Sequence, residues 1–221
     1  MSNQLSFHPD HAMLVDFSAG TLGTALSICV SAHLHFCSQC RSELMQLDQI
    51  GSQLMSVAEP ATVDDSLFDN VMARIDQAEA IPAEPRSEKA PSDMPFTVNK
   101  LIKEAEQTPT WKRLSGSVDV ARLKTGQEKF EVALHKICAG GKTPKHDHSG
   151  LEYTVVLKGS LSDERSVYKE GDFLVRQPGD IHQPMGGQNG DCICLSALEA
   201  PIKLTNPFGF LMKPWLRINP M

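Results

Sequence analysis

Residues 140–161, GGKTPKHDHSGLEYTVVLKGSL, place two histidines two positions apart, a glutamate four further on, and then a β-rich run, YTVVLKG. Side chains alternate across a strand, so His146 and His148 share one face, and strand periodicity can aim Glu152 the same way. Downstream, GDFLVRQPGDIHQP at 171–184 delivers His182 after a Pro-Gly-Asp turn, on another strand that could bring it beside the pair. Three imidazoles and a carboxylate form a borderline-to-hard ligand set suited to zinc, iron, manganese or nickel, and the sequence does not choose among them. A surface histidine cluster in a turn is the alternative; the pairing of the two blocks argues against it.

From about Phe96 to residue 200, short runs such as EVALHKI and GDFLVRQP are punctuated by Gly and Pro, the pattern of an antiparallel sandwich or barrel. Gly140, His146, His148, Glu152 and Gly159, followed by Gly171, Pro178, Gly179 and His182, resemble the two motifs of the cupin superfamily of small β-barrels, over about residues 130–185. The resemblance implies the barrel. Cupins include dioxygenases, isomerases and sugar-binding sensors, so it leaves function open.

The first 80 residues differ in kind. Residues 10–19 and 21–36 read as two short helices separated by Gly20. A third amphipathic helix follows Cys40, with Leu44, Leu47, Ile50 or Gly51, Leu54 and Val57 at helical spacing and Pro60 closing it. A fourth follows the capping residues Asp64 and Asp65 and aligns Leu67, Val71, Ile75 and Ala78 in one stripe. Isolated helices of about 15 residues are marginal in water, so this one docks on its own bundle or on a partner. The stretch AIPAEPRSEKAPSDMP at 80–95 has four prolines and no hydrophobic period, and reads as a flexible linker between two independently folded units. The chain is thus expected to be α then β: a helical bundle of about four helices at 1–80, a linker at 81–95, a barrel at 96–200 and a tail at 201–221. That apolar, proline-rich tail either covers an edge of the barrel or stays free of it.

Within the helical part, SAHLHFCSQCRSEL at 31–44 raises a second question of ligands. At about 100° per residue His33, Cys37 and Cys40 share a helical face, while His35 points away. One imidazole and two thiols suit zinc, which needs a fourth ligand to complete a tetrahedron. Along a straight helix His33 and Cys40 stand roughly 10 Å apart, so a break near Cys37 is expected. Cys29 lies a turn too far away and reads as a core cysteine, as does Cys138. His8 and His11, both preceding the first helix, are the candidates for the fourth position. The alternative is a buried histidine beside two small apolar cysteines. A structural ion is reasonable in a bundle with few apolar residues per helix, because metal binding adds directly to folding free energy.

Composition narrows the partners more than the function. The chain is 41% hydrophobic and 22% charged, ordinary values for a globular protein. Its opening, MSNQLSFHPD, lacks the basic and apolar regions of a secretory signal, and the longest apolar stretch, near 26–30, falls far short of the roughly 20 residues of a membrane span. A cytoplasmic chain without a membrane segment is expected, in which six cysteines argue against a disulfide framework. Residues 1–80 hold ten Asp or Glu against two Lys or Arg, a net charge of −8. That sign repels nucleic acid, excludes a DNA-reading zinc head, and favours a basic protein partner.

The HPD at 8–10, DFSAGTL at 16–22, HLHFCSQCR at 33–41 and the cupin blocks together resemble, nearly end to end, the ChrR family of zinc-binding anti-sigma factors with a C-terminal cupin domain. By that likeness His8 completes the first site with His33, Cys37 and Cys40 around zinc, and His11 is an ordinary helix residue. His146, His148, Glu152 and His182 then hold a second divalent metal, zinc by preference. The likeness further implies no catalysis, and a 1:1 complex with an ECF-type sigma factor of the sigma-E group. The helical domain would grip it, with the stripe of Leu67, Val71 and Ile75 supplying affinity, and the barrel would be needed for release under singlet oxygen or oxidative stress. Cys192 and Cys194 flank one residue on a probable strand; both could face the metal cavity and be oxidised there, with two buried structural thiols as the equal alternative. The rival reading is a metal-dependent cupin enzyme of dioxygenase type carrying a helical docking domain.

Overall fold

A computed structural model describes residues 5–77, 94–104 and 110–205 of the chain. The helices are α1 (His11–Ser18), α2 (Thr24–Phe36), α3 (Ser38–Val57), α4 (Ser66–Gln77) and α5 (Phe96–Glu104). Asp10 caps α1, its carboxylate accepting the Met13 N–H at 2.7 Å, and Asp64 does the same for Ser66 at the start of α4, at 2.8 Å. The expected break falls on Cys37, whose extended backbone (φ −101°, ψ 104°) ends α2 and caps α3.

The fifth helix is a correction, because α5 occupies residues taken as the start of the β-rich region. Val98, Leu101 and Ile102 carry the helical period, and that spacing outweighs the β-branched residues among them. Val98 is fully buried, and the Thr97 hydroxyl meets Ser31 of α2 at 2.6 Å.

The strands are β1 (Lys112–Ser115), β2 (Val118–Leu123), β3 (Glu131–Ile137), β4 (His146–Asp147), β5 (Glu152–Lys158), β6 (Ser160–Ser162), β7 (Val167–Lys169), β8 (Phe173–Arg176), β9 (Met185–Gly186), β10 (Cys192–Leu198) and β11 (Lys203–Leu204). An antiparallel six-stranded sheet in the order β1-β2-β3-β10-β5-β8 faces a small sheet, β7-β6-β9, and the short pair β11-β4. The inner face of the large sheet contributes Val118, Ile137, Val156, Leu174, Cys192 and Cys194 to the barrel interior. Its outer face contributes Val132, Leu134, Val155, Leu157, Leu195 and Ala197 to a second cluster, which also contains Leu14, Ile28, Val30 and Leu34 of α1 and α2. A sheet buried on both faces has no need of polar alternation, which is why TVVL and CLSAL carry no charge and only one hydroxyl residue each.

The helices and the barrel therefore share one hydrophobic cluster, where two independent units were expected. The outer face of β3, β10 and β5 would otherwise expose a broad apolar surface, and α2 packs across β5 and β10 with α1 and α5 against it in the same cluster. Beyond Leu47 α3 leaves this core, and α4 buries nothing: Leu67 is 47% exposed, Val71 45% and Ile75 59%. Ala78 and the linker up to residue 93 lie outside the described residues. So does the tail from residue 206; before it, β11 pairs with β4 and covers that edge of the barrel. Among the described residues no helix is long and apolar enough to cross a membrane.

Candidate metal centres

The extended turn at Cys37 swings the Cys40 thiol back toward α2, and the segment before α1 brings in His8. His8 Nδ1 stands 3.4 Å from Cys37 Sγ and 3.3 Å from Cys40 Sγ, and His33 Nε2 stands 3.3 Å from Cys40 Sγ. A tetrahedron with metal–ligand bonds of 2.0–2.3 Å has edges of ~3.5 Å, so these separations fit one ion among four ligand atoms. The remaining ring nitrogens are occupied elsewhere: His8 Nε2 donates to the Leu5 carbonyl at 3.2 Å, and His33 Nδ1 donates to the Gly171 carbonyl at 2.6 Å. Both tautomers are thereby set with the free lone pair toward the thiols. Burial lowers the His33 pKa to about 4, so its imidazole is neutral at pH 7. Burial, with Cys37 beside it, raises the Cys40 thiol far above its ordinary range; a bound dication reverses that preference, because a coordinated thiol is deprotonated. His11 is elsewhere, exposed and paired with Glu43 of α3 at 2.6 Å.

In the barrel, His148 Nε2 and His146 Nε2 lie 3.0 and 3.1 Å from His182 Nε2. Each opposite nitrogen meets an oxygen: His146 the Pro144 carbonyl at 2.8 Å, His182 Asp163 at 3.2 Å, and His148 Glu152 at 3.1 Å. Three lone-pair nitrogens face one another with nothing to share, an arrangement that a cation between them resolves. The four side chains can each offer an atom within 4.8 Å of the others. Burial lowers the His182 pKa to about 4 and also lowers that of His146. Burial opposes ionisation of Glu152, but the His148 hydrogen bond and the surrounding imidazoles outweigh it and hold the carboxyl at about 2. The donor set fits a divalent metal at both centres.

The convergence in the barrel is reached by a turn, where a single strand face was expected. β4 ends at Asp147, His148 lies in the bend beyond it, and Glu152 opens β5. The Asp147 carboxylate fastens that bend, accepting from the His148 N–H at 2.7 Å and the Gly179 N–H at 2.8 Å. His146 and His182 exchange backbone hydrogen bonds at 3.0 Å, which sets their rings side by side.

Sequence reasoning missed the support around His182. Asp163 also accepts from Arg176 at 2.7 Å and from the Tyr168 hydroxyl at 3.1 Å. Burial opposes its ionisation, and the Arg176 bond more than compensates, holding the carboxyl well below its ordinary range. His135, opposite Cys194 on β3, was likewise missed and lines the same cavity. No short motif marks these residues; only their register in the barrel does.

The two cysteines of β10 lie with Sγ atoms 3.5 Å apart, and Cys194 lines the cavity. Cys29 is a core residue as expected, its thiol pushed up to about 12 by burial. Cys138 is exposed, contrary to expectation, because β3 ends at Ile137 and the chain turns outward there.

Residues 100–200 match a family model described as the ChrR cupin-like domain. The chain is 33% identical over 213 residues to the anti-sigma-E factor ChrR of Cereibacter sphaeroides, covering 96% of this chain and 98% of that one. In structure it resembles the crystal structure of Rhodobacter sphaeroides SigE in complex with the anti-sigma ChrR, with a TM-score of 0.74, 32% identity, and coverage of 88% of this chain and all of the other.

Proposed function

This chain belongs to the ChrR family of anti-sigma factors, and from that premise we propose that it captures a sigma factor of the sigma-E group, ECF-type, in a 1:1 complex that keeps it from core RNA polymerase. It is a regulator, and the reading as a metal-dependent enzyme is set aside. The observation that carries the reading is the unpartnered face of α4 and the outer part of α3. Phe68, 72% exposed, stands beside Leu67, Val71, Met72 and Ile75 on a helix with no buried residue. Such a helix gains its stability from a partner. Ten acidic residues in the same 80-residue segment draw in the basic surfaces by which sigma domains meet DNA and polymerase, giving rate and orientation, while the apolar stripe gives affinity.

The His8, His33, Cys37 and Cys40 centre holds zinc, as its thiol content favours, and ties the N-terminal segment to the junction of α2 and α3. The His146, His148, Glu152 and His182 centre holds a second divalent metal, zinc by preference. The barrel serves release when the cytoplasm meets singlet oxygen or a related oxidant. Cys192 and Cys194 form a dithiol that a peroxide entering the cavity would oxidise to a disulfide, the two protons and two electrons reducing the peroxide. A Cys192→Ser, Cys194→Ser variant that releases its partner normally under oxidant would discard the dithiol role.

The test is capture of the tagged full chain from its native cell extract, with mass spectrometry of what co-purifies, light scattering of the complex and metal analysis. A sigma factor recovered in equal amount, with zinc, supports the reading. Zinc-loaded protein recovered alone would move the function to the barrel as an enzyme with a helical docking domain.

A further inference from the structure

Methionine is ordinarily a core residue, and Met13, 8% exposed, is one here. Among the described residues three methionines are instead exposed, all of them on α3 and α4: Met45 at 61%, Met55 at 77% and Met72 at 40%. They are not equivalent. At about 100° per residue Met72 lies about 40° round from Phe68 and about 60° from Ile75, so it extends the apolar stripe of α4. Its i,i+4 spacing from Phe68 also suits a thioether beside an aromatic ring. On α3 the stripe is Leu47, Ile50, Leu54 and Val57; Met45 lies opposite Leu54, and Met55 lies about 80° beyond the nearest member. Leucine at position 72 would give the α4 stripe a similar apolar volume without an oxidisable sulfur.

We infer that Met72 is a modification site whose oxidation to the sulfoxide blocks sigma capture, an inference that rests on the partner reading above. A peroxide supplies the oxygen: the thioether sulfur attacks it, an S–O bond forms as the O–O bond breaks, and the departing hydroxide takes up the proton and leaves as water. Sulfur loses two electrons and the peroxide gains them. The product carries a polar acceptor in place of an apolar side chain. On a free, solvated helix that acceptor meets water; under an apolar partner surface it is stranded. Capture itself buries the sulfur, so the reaction selects the free chain. Oxidation therefore does not prise the complex apart. It prevents recapture until a sulfoxide reductase, driven by a dithiol that becomes a disulfide, returns the oxygen as water.

The experiment exposes the full chain, alone or in complex with its co-purified sigma factor, to hydrogen peroxide. The peroxide is then removed, thiols and metal are restored with dithiothreitol and zinc, sulfoxide is read by peptide mass spectrometry, and affinity by calorimetry. The free chain is expected to gain Met72 sulfoxide and to bind the sigma factor at least about fivefold more weakly. Methionine sulfoxide reductases should restore the affinity, and in the complex Met72 should be spared. Met72→Leu is expected to bind within about threefold of the untreated chain both before and after peroxide. The double variant Met45→Leu, Met55→Leu should lose affinity as the unaltered chain does. Full affinity in a chain carrying Met72 sulfoxide, an equal loss in Met72→Leu, or equal oxidation of Met72 in the free chain and in the complex would each overturn the inference. An untreated chain that fails to bind the sigma factor would overturn the partner reading and this inference with it, and the first titration tells that failure from the others.

Discussion

The Nδ1–H of His33 donates to the carbonyl oxygen of Gly171 at 2.6 Å, so the barrel sets the tautomer of a candidate ligand in the helical part. The contact belongs to a wider latch. The Asp172 carboxylate accepts the backbone N–H groups of Ser6 and Phe7 at 3.2 and 3.3 Å, and the Phe7 carbonyl accepts the Phe173 N–H at 3.0 Å. The Phe7 ring meets Tyr168 edge-on at 4.8 Å, and Tyr168 reaches Asp163, which holds His182. Neighbouring contacts thus run from one candidate metal centre to the other.

Gly171 has φ +94°, and a Cβ there would approach Phe36 to 2.5 Å and Leu5 to 2.9 Å. Gly171→Ala is therefore expected to push the end of α2 off the barrel and destabilise the fold by ~2–4 kcal/mol. Loss of the His33 hydrogen bond should also speed removal of the first metal. A urea melt and the rate of zinc transfer to a coloured chelator check both; unchanged transfer would show that the Gly171 contact does not hold the centre.

Asp163→Asn removes the charge that orients His182 and neutralises Arg176. The expected result is a second-site metal affinity lower by about 10–100-fold and a stability loss of ~3–5 kcal/mol from the stranded guanidinium. Adding Arg176→Leu should recover stability without recovering metal affinity. Chelator competition and a urea melt separate the two effects.

Val71→Asp on α4 is expected to leave folding within ~0.5 kcal/mol and zinc content unchanged, because Val71 touches no core. Sigma binding should weaken by at least about tenfold, read by calorimetry with the co-purified partner. Equal binding by both forms would remove α4 from the interface.

Alkylation should sort the thiols by environment. Exposed Cys138 is expected to react first, and Cys37 and Cys40 only after chelation frees them. Cys29 and Cys192, both fully buried, should react only on unfolding. Timed iodoacetamide labelling with peptide mass spectrometry reads the order.

The sequence by itself determined what depends on side-chain chemistry and local spacing. His33, Cys37 and Cys40 fit one ion only if a helix breaks between them, and His146, His148, Glu152 and His182 share a fold whose turns are written in Gly and Pro. The stripe of Leu67, Val71 and Ile75 announced a helix that must dock on its own bundle or on a partner. The period of α5 was also present, in Val98, Leu101 and Ile102, and was overlooked beside the β-rich runs that follow it. Spacing left His8 and His11 open and the family likeness favoured His8; the physical reason lies in the tertiary structure, which pairs His11 with Glu43 and aims His8 at the thiols. It alone turned Cys138 outward and gathered Asp163, Tyr168 and Arg176 behind His182. His33 and Gly171 are 138 residues apart. A contact at that separation has no local signature: it exists because the outer face of the sheet must be covered, and α2 is what covers it.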